Sequence, residues 1–175
     1  TFGEVLLRLS TKEYLRFSQA TEFNADYGGS ELNVATSLVK LGMDAEFVTR
    51  IPDNEIGKSA IKEMHKNDVS TNFTISGGER LGIYFIEKGA SIRGSKVIYD
   101  RAYSSFSTIK KGMIDWNQVF ENASWFHWSG ITPGISQNAA DVCLEAIEIA
   151  HTLGLTISTD FNYRANLWNY GKSPS

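Results

Sequence analysis

Gly28-Gly29-Ser30-Glu31-Leu32-Asn33-Val34-Ala35-Thr36-Ser37-Leu38-Val39-Lys40-Leu41-Gly42 is the stretch on which the reading of the fold turns. Val34, Leu38 and Leu41 stand at i, i+4 and i+7, and Gly42 sits where a C-terminal cap belongs. Glu31 to Leu41 is therefore predicted as a helix opened by paired glycines. Without a Cβ, those glycines let backbone N–H groups approach a polar ligand, and Asn33 in the first turn can both donate and accept, as a sugar hydroxyl does. Taken alone the same residues also describe an ordinary turn and helix cap.

Working outward, the pattern alternates. Phe2 to Leu9 reads as a buried strand, with further residues expected before Thr1. Thr11 to Tyr27 mixes polar residues with Tyr14, Phe17, Phe23 and Tyr27 at roughly alternating spacing, which predicts exposed antiparallel strands. After the first helix come a strand at Glu46 to Ile51, a turn at Pro52-Asp53-Asn54, and a helix at Gly57 to Asn67 with Ile61 and Met64 inward. Leu81 to Glu87 and Lys96 to Arg101 form a β-hairpin pattern around Gly89 to Ser95. Asp115 to Asn122 is a short helix and Trp125 to Trp128 a buried strand. Ala139, Val142, Cys143, Ala146, Ile147 and Ala150 then mark an amphipathic helix between the cap Ser136 and Gly154. Leu155 to Asp160 is the next strand, and Gly171 to Ser175 a loop-like tail.

Strands alternating with helices predict an α/β fold, a parallel sheet with helices on both faces, and the hairpin with the alternating segment adds a small antiparallel β lid. Ligands in such sheets bind beyond the carboxyl ends of the strands. The segments after Leu9, Ile51, Trp128 and Asp160 are therefore the places to search.

Composition narrows the partners. The chain has 175 residues, 42% of them apolar, enough for one core burying about 70% of the unfolded surface. A net charge of −3 offers no general positive field for nucleic acid or an anionic membrane, so neither is expected as a partner. The single Cys143 permits no internal disulfide, and the three histidines are scattered rather than set at zinc spacing, which fits a cytoplasmic protein with no metal site of its own. Gly171-Lys172-Ser173 resembles the end of a P-loop, but that motif requires glycine where Asn166 stands. No G-x-G-x-x-G follows a predicted strand, which argues against a dinucleotide oxidoreductase.

The run from Gly28 to Gly57 reads G-G-x-x-x-N-x-A-x-x-L-x-x-L-G, a strand, then P-D-N-E-I-G. Arg80 to Gly89, Val97-Ile98-Tyr99-Asp100-Arg101, Trp128 to Pro133 and Asp160-Phe161-Asn162-Tyr163-Arg164 follow in register. Together they resemble the ribokinase-like (PfkB) family of carbohydrate kinases, on its 2-keto-3-deoxygluconate kinase branch. The resemblance covers essentially the whole chain. It implies that residues 1–175 are the amino-terminal part of a single kinase domain, with lid segments at 11–27 and 80–101. It further implies that Gly29, Asn33, Tyr84, Tyr99, Arg101 and Arg164 bind the sugar, that Asn162 and Arg164 lie near the nucleotide phosphates, and that ATP and Mg2+ are used. It also implies lid-to-lid homodimers or higher homo-oligomers.

Physical chemistry adds that two converging guanidiniums match a carboxylate, which a neutral hexose does not offer, so a sugar acid is the expected substrate. For each residue a plainer role remains. Arg101 and Arg164 also fit solvated ion pairs, and Tyr84 and Tyr99 fit core aromatics of the hairpin. His127, between two aromatics, reads as a satisfied core or pocket-edge histidine, and Cys143 as inert packing.

Two departures stand out. Where many sugar kinases of this family carry an aspartate after the first strand, this chain has Leu7-Arg8-Leu9-Ser10, which disfavours ribose or adenosine. The family's G-A-G-D stretch, with its anion hole and general-base aspartate, occurs nowhere in the 175 residues, so no catalytic residue is expected in this chain. The expected function is phosphorylation of 2-keto-3-deoxygluconate to its 6-phosphate by the full-length protein, with this chain alone inactive. The alternatives are a non-catalytic sugar-acid binding module and a kinase for another sugar.

Overall fold

The computed structural model describes residues 1–164, 167–168 and 171. The expected loop-like tail, Gly171 to Ser175, lies outside the described residues apart from Gly171.

A parallel sheet forms the centre. Val48 N–H donates to the Thr1 carbonyl at 2.9 Å, Gly3 N–H to Val48 at 3.3 Å, and Phe2 N–H on the other side to His127 at 3.1 Å. The first three residues thus lie between the segment around Val48 and strand β7 (Trp125–Ser129). β3 (Arg50–Ile51) continues the Val48 segment and pairs in parallel with β4 (Ile75–Ser76), while β7 pairs in parallel with β8 (Thr156–Asp160). The order reverses where Thr1 to Gly3 meets β7. Such a reversal opens a crevice at the carboxyl ends of the two strands.

Alternate side chains of this sheet feed two cores. Phe2 and Val48 point into one with Trp116, Phe120, Phe126, Val142, Cys143 and Ala146, beneath α3 (Trp116–Phe120) and α5 (Gln137–Thr152). Val5, Phe47 and Ile51 point into the other with Leu32, Ala35, Ala60 and Met64, beneath α1 (Ser30–Lys40) and α2 (Glu55–Lys66). The helices begin and end for local reasons. Asn54 accepts from Ile56 and Gly57 N–H at the start of α2, and Ser136 accepts from Ala139 N–H at the start of α5. Gly42 takes φ +83°, which a side chain would resist, just past α1, while Met43 N–H returns to the Leu38 carbonyl at 3.0 Å. A short helix absent from the sequence reading, α4 (Ile131–Ile135), follows β7.

The lid is a four-stranded mixed sheet in the order β2 (Phe23–Gly28), β1 (Leu6–Thr11), β5 (Gly82–Glu87), β6 (Lys96–Asp100). Here the expected buried strand over Phe2 to Leu9 is corrected. Only Thr1 to Gly3 belongs to the central sheet, and the chain then leaves it to form the middle of the lid. The alternation Leu7-Arg8-Leu9-Ser10 carries the reason, because a strand covered on both faces does not alternate apolar with polar residues. The search position after Leu9 moves accordingly to Gly3 and Glu4.

The expected strands over 11–27 are likewise fewer. Thr11 ends β1, Phe23 begins β2, and between them lies a loop with a single 3-10 turn at Phe17–Gln19. Glu87 holds that loop to the hairpin by accepting from Phe17 N–H at 3.0 Å, and Arg93 bonds both Glu87 and the Tyr14 carbonyl. The hairpin itself forms as expected, with Tyr84 opposite Tyr99.

Among the described residues no helix is long and apolar enough to cross a membrane.

Candidate active site

The crevice is bounded by Gly3-Glu4 at the end of the first strand, the start of α1, the end of β7 and the end of β8. Two glycines permit the approach of these segments. A Cβ on Gly29 would lie 2.3 Å from the Glu4 carbonyl oxygen, and one on Gly130 would lie 2.0 Å from that of Phe161. Both are shorter than any packed contact, so each neighbour is backbone that would have to move.

Two buried carboxylates stand at the floor. Glu31, in the first turn of α1, is 1% exposed. Its Oε1 accepts from Ser129 Oγ at 2.5 Å and Thr132 Oγ1 at 2.9 Å, which locks α1 to the end of β7. Burial pushes its carboxyl above the ordinary range, against the lowering effect of the two hydroxyls and, more weakly, of Arg101. Glu4, with 2% of its side chain exposed, accepts on Oε2 from both Nε and Nη2 of Arg101, and on Oε1 from Ser104 Oγ. Arg101 is itself only 10% exposed.

The lid supplies the roof. Residues directly opposite in the register share a face, so Asp26, Arg8, Tyr84 and Tyr99 form one row across all four strands. Tyr84 and Tyr99 lie 5.8 Å apart between ring centroids, and the Arg101 guanidinium carbon is 5.7 Å from the Tyr99 ring. Tyr84 Oη lies 3.5 Å, and Asn33 Oδ1 4.0 Å, from the point a Cβ on Gly28 would occupy. A hydroxyl, an amide and a bare stretch of backbone thus face one small space. Asn33 is exposed and also lines a hollow of about 160 Å³ with Tyr27, Glu63 and Asn67.

The residues after β8 divide. Asn162, held at φ +38°, turns back through its N–H to Asp160 Oδ1 at 3.0 Å and donates its amide to Ser30 Oγ at 2.9 Å, which ties the end of β8 to the start of α1. Arg164 is exposed, and its guanidinium donates to the Tyr163 carbonyl at 3.0 Å. Among the described residues the Arg101 and Arg164 guanidiniums make no contact with each other. The structure thus gathers Gly29, Asn33, Tyr84, Tyr99 and Arg101, brings Asn162 to their edge, and leaves Arg164 facing outward.

Sequence reasoning missed Glu4, Glu31 and Ser104. The available signal was a charged residue inside an otherwise apolar stretch, as in Phe2-Gly3-Glu4-Val5-Leu6, since an unpaired carboxylate does not stay buried there. Arg8 was noted only as an absent aspartate. It stands beside Tyr84 and pairs with Asp26 at 3.2 Å.

The plainer readings of other residues agree only in part with their surroundings. His127 is half-buried, bonds Ser158 Oγ through Nδ1 at 2.9 Å, and is held below its usual pKa chiefly by burial. Its buried Nε2 has no hydrogen-bond partner among the described residues, so it is not the fully satisfied histidine expected. Burial pushes the Cys143 thiol up, which suits an inert packing group. A cavity of about 1010 Å³ lies at the opposite, amino end of the sheet, away from this constellation.

A doubly wound sheet with a crevice at its strand reversal, under a β lid carrying two tyrosines and an arginine, has the ribokinase-like architecture, and in such sheets small molecules bind at that crevice. The family model described as pfkB family carbohydrate kinase matches residues 1–173, and the chain belongs to that family. It is 33% identical over 169 residues to the 2-dehydro-3-deoxygalactonokinase of Haloferax volcanii, covering 97% of this chain and 53% of that protein. It is 27% identical to the 2-dehydro-3-deoxygluconokinase of Bacillus subtilis, over 96% of this chain and 52% of the other. The crystal structure of the Thermotoga maritima 2-dehydro-3-deoxygluconokinase superposes with a TM-score of 0.93 at 46% identity, over 95% of this chain and 51% of that one. The chain spans about half the length of these relatives.

The raised Glu31 pKa sets a pH dependence. The folded state keeps a proton on Glu31 that the unfolded chain releases near the ordinary value of 4.5. Stability from this group is therefore present below that value and lost as pH rises through the higher folded pKa. Glu31→Gln, which keeps an oxygen for Ser129 and Thr132, is expected to remove that decline. Urea midpoints measured across mildly acidic to neutral pH check it, and parallel curves for the two proteins would refute it.

Proposed function

We propose that the protein containing this chain transfers the γ-phosphoryl group of ATP to the terminal hydroxyl of 2-keto-3-deoxygluconate, giving the 6-phosphate. The observation that carries the reading is the convergence of Tyr84, Tyr99 and Arg101 from the lid with Gly28, Gly29 and Asn33 at the strand reversal. Two relatives named as 2-dehydro-3-deoxy sugar-acid kinases match over nearly the whole chain, which supports the same substrate class. Gly29 would contact the sugar through its backbone, Asn33 would bond a hydroxyl, and the tyrosines would wall the pocket. Arg101 would supply donors to the acid, and Arg164, which faces outward, takes no part in that grip in this arrangement.

For the nucleotide, Arg164 is an exposed guanidinium just beyond β8, where an anion fits, and Asn162 lies beside it. In the reaction the sugar hydroxyl oxygen bonds to the γ-phosphorus as the bond from that phosphorus to the β–γ bridging oxygen breaks, and ADP leaves. The hydroxyl proton would pass to a general base, and magnesium bound with the nucleotide would offset charge on its phosphates. A base and an anion hole are both required, so the 175-residue chain alone is inactive and carries the sugar-binding side.

The lid's other face favours self-association. Ala25, Leu9, Phe85 and Ile98 form an apolar row across the four strands, opposite the row that bears Tyr84, and Phe23 packs edge-on against Phe85 at 5.9 Å. β2 and β6 are bare edges. We infer a homodimer or higher homo-oligomer through this face, in the cytoplasm.

In the complete protein, Arg101→Met is expected to raise the KM for the sugar acid about 10- to 100-fold, the worth of a charged hydrogen bond, with the KM for ATP nearly unchanged. Equal losses for both substrates would make Arg101 structural. The wild type assayed with gluconate- and galactonate-derived keto acids against neutral hexoses decides the substrate, and preference for a hexose would overturn the proposal. ATP turnover by the 175 residues alone, above a mock preparation, would contradict the assignment of this chain to the sugar side only. Sedimentation should find no monomer at micromolar concentration, and a monomeric species there would remove the lid interface.

A further inference from the structure

Arg101 is the residue from which the substrate reading draws its charge, yet its charge is already answered within the protein. Glu4 takes Nε and Nη2 on a single carboxylate oxygen, and Ser104 Oγ occupies the other oxygen. Both carboxylate oxygens of Glu4 are thereby engaged, and no described residue bonds Arg101 Nη1. The guanidinium is held by one edge, with the Tyr99 ring 5.7 Å from its centre and the remaining edge unclaimed.

The fold makes room for this grip in particular. Glu4 is the first residue after the strand that ends at the switch point. A Cβ on Gly82 would come within 2.5 Å of Leu6 Cδ2, 2.8 Å of Glu4 Oε1 and 3.0 Å of Arg101 Cβ, so β5 carries glycine where Leu6 and the pair pass beneath it. Arg101 follows the last residue of β6, and the pair therefore joins the end of the lid hairpin to the end of the first core strand.

We propose that Glu4 is a positioning residue for sugar binding: it fixes Arg101 with one edge bound and the other presented to the ligand, and Ser104 fixes Glu4. This rests on the sugar-acid kinase reading given above. Glu4 touches no substrate in this account. It acts through Arg101, because a guanidinium on a long flexible stem loses the geometry of its remaining donors when its anchor is removed.

The test is a double-mutant cycle in the complete protein, assayed with ATP and 2-keto-3-deoxygluconate. Glu4→Gln should raise the sugar-acid KM about tenfold, leave the KM for ATP unchanged, and have less than about a twofold effect in an Arg101→Met background. Ser104→Ala should act in the same direction with a smaller effect and should also be silent without Arg101. Additive effects, or equal losses for ATP and sugar, would overturn the proposal.

If Glu4→Gln fails to fold because it leaves a buried guanidinium unpaired, the doubly neutral Glu4→Met, Arg101→Met protein decides. It should match Arg101→Met in sugar KM, and a further tenfold rise would overturn the proposal. One readout is independent of substrate. The Arg101 Nε–H should give a slowly exchanging NMR resonance in the wild type that Glu4→Gln abolishes, and its survival in that variant would refute positioning. A wild type that phosphorylates no 2-keto-3-deoxy sugar acid while its resonance depends on Glu4 would overturn the substrate reading and leave the positioning intact.

Discussion

The departure of the chain from the central sheet at Glu4 is the constraint on which the rest of the structure depends. Three residues run between the Val48 segment and β7, and the fourth, Glu4, is buried with 2% of its side chain exposed and must be paired where it stands. Its partner, Arg101, lies 97 residues further along at the far end of the lid hairpin. Meeting that one requirement sets the lid over the crevice, because β1 leaves the core from one member of the pair and β6 arrives at the other. The side-chain rows of the mixed lid sheet then follow from register, and with them the placement of Tyr84 and Tyr99.

A pair of this kind is poor support for stability as such. Removing two charges from water costs several kcal/mol per ion, and an apolar pair of similar size often serves folding as well. What it supplies is orientation. The same holds for Glu31, whose two hydroxyl partners come from Ser129 and Thr132 at the end of β7 and the start of α4. Glu31 ties helix α1 to the end of β7 and Glu4 ties the lid to the end of the first core strand, so directional bonds add to the apolar packing of α1 in placing the parts around the crevice. The apolar cores lie to either side of the sheet, under α1 and α2 and under α3 and α5, and tolerate the crevice between them.

Much of the fold was legible because its elements are specified locally. The Val34, Leu38, Leu41 spacing with Gly42 and the Ser136 cap each name a helix without reference to anything distant, although α1 turns Leu32 and Ala35 inward and leaves Leu41 79% exposed, so that spacing marked the helix and not its buried face. The hairpin from Gly82 to Asp100 is also local, and its strands lie within a residue of where the β-rich runs place them. The start of the chain was misread for the opposite reason. Phe2 to Leu9 looks apolar enough for a core strand, and its alternation from Leu7 onward signals a half-exposed one only if Glu4 is taken as the point of exit. The loop from Lys12 to Glu22 has aromatic residues at strand-like spacing, but Tyr14 and Leu15 face solvent and nothing pairs with the backbone there as a strand would.

The candidate site divides along the same line. Residue types in register along the chain were sufficient to mark Gly29, Asn33, Tyr84, Tyr99, Arg101, Asn162 and Arg164, and with them the family to which the chain belongs. Only the tertiary structure decided what each charge faces. It gave Arg101 a buried carboxylate, left Arg164 against its own neighbour's carbonyl, and set Asn162 to bridging β8 and α1. The physical reason is range. Helix periodicity, caps and turns are settled within a few residues, whereas the pairing of a buried charge is settled by whichever group the folded chain carries to it, and here that group comes from the opposite end of the lid.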